Sequence, residues 1–174
     1  MRADAQRNRE LIVAAALDAF TERGADASME EIARAAGLSV GTLYRHFPDR
    51  QAMLEHIAVN ALDDLLAFAR DAAAEPEQTR WQVLLRVLEH CFGLPLALVK
   101  SLSEATRPDP QVARLADEAN ALFAEIARGA QREGTLRDDI PPSEVVAVLN
   151  VAVCRPDTRA DDPLTVVLLD GLHT

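Results

Sequence analysis

Between Ser39 and Arg50 the chain reads SVGTLYRHFPDR, which gathers many of the side chains able to grip an anion. Ser39 and Thr42 carry hydroxyls, Tyr44 a phenol, His46 an imidazole, and Arg45 and Arg50 guanidinium groups. Each can donate hydrogen bonds, and an arginine does so through a planar fork that matches phosphate oxygens. Gly41 has no side chain, so a second molecule can approach the backbone closely there. The stretch is suited to lying against an extended polyanionic surface.

Other reactive groups do not assemble into a catalytic pattern. His46, His56, His90 and His173 form no HExxH or HxH spacing, no glycine-rich phosphate loop follows a strand, and no serine elbow is present. Cys91 follows His90, but adjacent residues on a helix do not face one another. No enzymatic activity, resident metal or cofactor is expected. Cys91 and Cys154 lie far apart in sequence, which argues against a disulfide framework.

The elements that must position Ser39–Arg50 can be read from caps and breakers. In SMEEIARAAG, Ser28 and Glu31 form a capping box that starts a short helix, closed by Gly37. Ser39 is a second N-cap, and its helix must stop before Pro48 because the residue preceding proline disfavours helical backbone. Two helices near 29–36 and 40–46, joined by Gly37-Leu38-Ser39, make a helix-turn-helix. Ala33 is small enough for the helices to cross, and Leu38 and Leu43 are expected to face inward.

Upstream, RNRELIVAAALDAFTERG sets Leu11, Ile12, Ala15, Ala16, Ala19 and Phe20 at helical spacing, with Gly24 at its end. Downstream, Asp49 caps a long helix that AAAEPEQ breaks. A stripe from Trp81 to Phe92, a short segment after Pro95, and a stripe from Val112 to Ala130 follow. Two final apolar segments, SEVVAVLNVAVC and LTVVLLDGLHT, flank the loop RPDTRADDP. The expected fold is all-α with about nine helices: residues 1–56 form a three-helix unit and residues 57–174 a helical body.

Composition agrees with this. The 174 residues are 49% hydrophobic but only 4% aromatic, and Ala and Leu dominate. Positions 1–10 are polar and charged, and no apolar run approaches the ~20 residues of a membrane span, so a cytoplasmic chain without a leader is expected. The net charge of −10 is unevenly spread: residues 1–56 hold seven Arg against nine Asp and Glu, leaving most of the excess to the remainder. Net charge governs long-range steering and leaves room for a local basic surface.

The run SMEEIARAAGLSVGTLYRHFPDRQAML, with AALDAFTERG upstream, resembles the TetR family of transcriptional regulators over about residues 8–57. Ser39, Gly41, Leu43, Tyr44, Phe47 and Leu54 carry the likeness. The resemblance implies that the second short helix enters the major groove of double-stranded operator DNA. It further implies that Thr42, Tyr44, His46 and Arg50 contact the backbone, which positions the protein but carries little sequence information. Base reading falls to Val40, Thr42, Arg45, Ser28 and Met29; an apolar Val40 can meet a thymine methyl. Arg7 and Arg9 can reach an adjacent minor groove or backbone. Alternatives stay open, with Tyr44 packed between helices, Val40 buried, or Arg45 a solvated charge. The acidic pair Glu30–Glu31 departs from relatives that are basic or polar there, and weakens nonspecific attraction.

For the body the resemblance implies a homodimer through the last two helices, a small-molecule effector and a repressor's role. Val145, Val148, Leu149, Ala152, Val167, Leu168 and Leu172 are the expected dimer residues, against the alternative that they serve only an internal core. Trp81, Leu85, Leu88, His90, Phe92, Leu98, Leu102, Leu122, Phe123 and Ile126 are the expected pocket lining. A regulator answering instead to a metal, to redox state through the cysteines, or to a protein partner is the competing reading.

Overall fold

The computed structural model describes residues 2–23, 27–155 and 158–174. Among them are nine helices and no strand, as the caps and periodicity lead one to expect. Gly24, the anticipated end of the first helix, lies outside the described residues, as does part of the acidic loop near the C-terminus. The chain divides into two compact units, Met1–Ile57 and Ala58–Thr174.

The first unit holds α1 (Arg2–Arg23), α2 (Met29–Ala35), α3 (Val40–His46) and the opening of α4 (Arg50–Ala74). The capping box forms: the Glu31 amide donates to Ser28 Oγ at 3.2 Å, and the Ser28 amide to Glu31 Oε2 at 3.0 Å. Gly37 adopts φ +70°, the left-handed turn that lets α3 leave α2 at a sharp angle. Ser39 caps α3, and the Ala52 amide donates to Asp49 Oδ1 at the start of α4. Ile12, Ala16, Ile32, Ala33, Leu43, Phe47 and Met53 are sealed inside. Leu11, assigned to the inner stripe by periodicity, is instead exposed, and Leu38 is half-buried.

The second unit contains the rest of α4, then α5 (Arg80–Cys91), α6 (Leu96–Ser103), α7 (Pro110–Arg132), α8 (Pro142–Val153) and α9 (Pro163–Leu172). Thr79 and Gln82 form a second capping box, and Asp109 caps α7 ahead of Pro110. Arg80 crosses the face of α7 at Gly129, where a Cβ would meet Arg80 Cγ at 2.7 Å, so a side chain there would displace the arginine. Arg80 is held by the Ala73 carbonyl and by Glu133.

The two short C-terminal helices are fastened within the protomer. Arg155 pairs with Asp162, which also caps α9. The Arg137 amide donates to the Leu172 carbonyl at 3.0 Å, and the His173 ring packs 4.9 Å from Trp81. Among the described residues no single helix is long and apolar enough to cross a membrane.

Candidate nucleic-acid interface and internal cavity

In the first unit α3 has one inward residue, Leu43, and a broad outward surface. Val40, Gly41, Tyr44 and Arg45 are exposed, Tyr44 by 43%, so Val40 and Tyr44 do not serve the interior. Thr42 and His46 are half-buried beside them. Gly41 faces open space, with nothing within 4 Å of where a Cβ would stand. The outer surface therefore combines an apolar Val40, a bare Gly41 and the polar tips of Tyr44 and Arg45.

Ser39, Thr42 and Arg45 on this surface are already ordered by hydrogen bonds to one another and to the backbone. Thr42 Oγ1 lies 2.8 Å from Ser39 Oγ and accepts from Arg45 Nη2 at 3.0 Å, while Arg45 Nε donates to the Gly41 carbonyl at 3.2 Å. Arg45 thus lies back along the first turn of α3, and its remaining donors are directed by that contact. Such preorganisation reduces the entropy lost when a long side chain meets a ligand.

Four expected contact residues are engaged within the protein. Met29 is only 8% exposed and belongs to the interior. Ser28 is occupied by its capping box. Arg50 donates to the Ala27 carbonyl and lies over Phe20, its guanidinium carbon 4.7 Å from the ring centroid. Arg9 is drawn in similarly: it covers Phe47 at 4.7 Å and donates from Nε to His56 Nε2 at 3.1 Å. Burial, and secondarily the Arg9 charge, hold the His56 pKa below its ordinary value, consistent with a neutral ring accepting that bond. Arg7 is exposed on α1.

The second unit contains a cavity of about 300 Å³ among α4, α5, α6, α7 and α8. Its apolar lining includes Leu62, Leu65, Leu96, Val99 and Phe123, and its polar lining Lys100, Ser103, Glu104, Asn120 and Asn150. Both cysteines reach it. Burial, and then the neighbouring Cys154, push the Cys91 thiol up to about 12, which keeps it protonated. Burial also raises Cys154; Lys100 opposes that rise and Glu104 adds to it.

Of the residues expected around a pocket, only Phe123 lines this cavity. Trp81 and Leu85 instead border a separate open groove with Val166, Leu169, Asp170 and His173 of the α9 region. His90 stacks on Phe68, centroids 4.1 Å apart, and its Nε2 lies 2.8 Å from Asp64 Oδ2. Leu88, Leu102 and Ile126 are buried elsewhere, and Phe92, Leu98 and Leu122 are half-buried away from it. Periodicity finds the inward side of a helix but does not separate core from cavity. The stronger signal was Asn120, a polar residue one helical turn before Phe123.

Two family descriptions cover most of the chain. Residues 12–57 match "Bacterial regulatory proteins, tetR family", and residues 75–174 match "Transcriptional regulator SbtR-like, C-terminal domain". The chain belongs to the TetR family of transcriptional regulators. Its TetR-family relatives are regulators, not enzymes. The transcriptional regulator UidR of Escherichia coli K12 is 29% identical over 147 residues, covering 80% of this chain and 74% of UidR. A TetR regulatory protein from Mycobacterium vanbaalenii is 30% identical, with a TM-score of 0.62 and 99% of each chain covered. AibR, solved with isovaleryl coenzyme A and operator DNA, is 20% identical with a TM-score of 0.66 and 95% of each chain covered, a likeness of fold.

Proposed function

We propose that this TetR-family protein is a cytoplasmic repressor that binds double-stranded operator DNA as a homodimer and releases it when a small amphipathic effector enters the second unit. The observation that carries the DNA reading is the surface of α3, where Val40, Gly41, Tyr44 and Arg45 stand outward around a single buried Leu43. An N-terminally capped helix with a bare glycine in its first turn can enter a major groove closely. Tyr44, Thr42 and His46 would hold phosphates, while Val40 and Arg45 face base edges.

The homodimer reading is supported by apolar residues left outside on α8 and α9. Val167 is 65% exposed and Val151 49%, with Val166 and Leu164 also exposed. Four such residues on two helices already fastened together favour cover by another copy of the same chain, and two copies match the two half-sites of an operator. The dimer residues expected from sequence must be revised accordingly. Val145, Leu149, Ala152 and Leu172 are buried within the protomer, because α8 turns that side toward its own unit; Val148 and Leu168 are half-buried, and Val167 alone is freely exposed.

The cavity, with an apolar floor and a few polar groups, supports the effector reading. AibR offers a precedent of the same fold carrying both kinds of ligand. An effector acts here only by binding better to a conformation with lower operator affinity. Protonated, buried Cys91 is poorly suited to thiolate chemistry, which favours an organic effector over a redox signal.

Selection of bound duplexes from a random pool tests the central reading. The expected result is an enriched inverted repeat, with half-sites a helical turn or a multiple apart. A pool that stays random through successive rounds would overturn it.

A further inference from the structure

Granting that the cavity is an effector site, we infer that its ligand is a small organic carboxylate. The carboxylate would rest on Lys100 and the apolar tail along Leu62, Leu65, Val99 and Phe123.

Lys100 is the chain's only lysine, in a sequence whose other basic residues are arginines. It stands half-buried on α6 and lines the cavity. Its carbonyl accepts from Ser103 Oγ and the Glu104 amide, but among the described residues its ammonium has no hydrogen-bonded or ion-paired partner. The chain carries a net charge of −10, so an ammonium without an ion-pair partner beside apolar surface is a local exception. A lysine suits the place: its flexible stem packs against apolar neighbours while a compact charge with three donors seeks an acceptor.

Glu104 is the group that argues the other way. It lies one helical turn from Lys100 yet makes no ion pair with it, and it is exposed. Both groups line the cavity, but Glu104 is exposed to solvent, whereas Lys100 is half-buried. The less hydrated of the two charges is the positive one.

A second donor lines the same cavity. Asn150 Nδ2 donates to Asn120 Oδ1 at 3.1 Å, which leaves the Asn120 amide nitrogen over. With both amides reversed, the Asn150 nitrogen is left over instead, so either arrangement presents an NH₂ group. An ammonium and an amide donor above an apolar floor match a carboxylate carrying a hydrocarbon tail.

The test uses the full chain with octanoate, octan-1-ol and octylamine. Calorimetry should show octanoate binding at least about tenfold more tightly than octanol, the scale of one charge-assisted hydrogen bond. Lys100→Met should bring octanoate down to the level of octanol and leave octanol unchanged, while Lys100→Arg keeps part of the preference. Because the chain has a single lysine, protein labelled with ¹³C at lysine Cε gives one side-chain resonance, which octanoate should shift and octanol should not. Octanol or octylamine binding as well as octanoate overturns the carboxylate assignment while leaving the cavity as a ligand site. No binding by any of the three overturns both the assignment and the effector reading. Operator affinity, followed separately by anisotropy, distinguishes the two further: binding without release removes the regulatory role.

Discussion

Arg9 donates its Nε proton to Nε2 of His56 across 3.1 Å, joining α1 to the opening of α4 while its guanidinium covers Phe47. The bond requires an unprotonated imidazole nitrogen. The folded protein therefore resists protonating His56, whereas the unfolded chain takes up a proton near the ordinary value of 6.5. Acid then favours the unfolded state: the contribution is full above 6.5 and is lost as the pH falls below it. Thermal unfolding followed between neutral and mildly acidic pH should show this loss. His56→Gln, whose amide oxygen can still accept from Arg9, should flatten it, and identical pH profiles for the two proteins would remove His56 from the account.

Gly41 offers a clean test of close approach. An alanine there meets nothing in the protein and lies in a helix, so Gly41→Ala should stabilise the fold by about 0.5–1 kcal/mol. Operator affinity should nonetheless fall about tenfold, since the added methyl would stand between α3 and the duplex. A variant that is more stable and binds equally well would show that no close approach occurs.

Tyr44 and Arg50 differ in what they do for the fold. Among the described residues the Tyr44 hydroxyl has no partner, so Tyr44→Phe should leave the melting temperature unchanged. If it holds a phosphate, binding should weaken by about 0.5–1.5 kcal/mol for operator and random DNA alike. Arg50→Ala loses the Ala27 carbonyl bond and the contact with Phe20, and should lower stability by about 1–2 kcal/mol. Because the guanidinium is turned inward, the slope of log affinity against log salt should stay unchanged. A folded variant whose slope falls by about one would give Arg50 a phosphate contact as well.

Val167 and Leu149 separate assembly from folding. Val167→Glu places a charge on the exposed face of α9 and should yield a folded monomer by light scattering, with weaker operator binding. Leu149 is 1% exposed, so Leu149→Glu buries a carboxylate without a partner and should unfold the second unit. A folded Val167→Glu protein that remains dimeric would place the interface elsewhere.

What the sequence determined by itself was the chain of helices and the outward surface of α3. Ser28 with Glu31, Ser39, Asp49 and Asp109 satisfy amides two or three residues away, and Gly37 turns the chain at its own position. Those interactions are completed within one turn, so the local sequence is enough to place them. What only the tertiary structure decided was the destination of side chains whose neighbours come from distant segments. Arg9 and Arg50 were drawn onto Phe47 and Phe20, Met29 was taken inside, and the same apolar α8 put Leu149 in the core and Val151 outside. The cavity was likewise a product of assembly, since Lys100, Asn120 and Asn150 come from three helices. Where a helix is apolar on more than one side, as α8 is, burial depends on which face another helix covers, and the periodicity of that one helix does not contain that information.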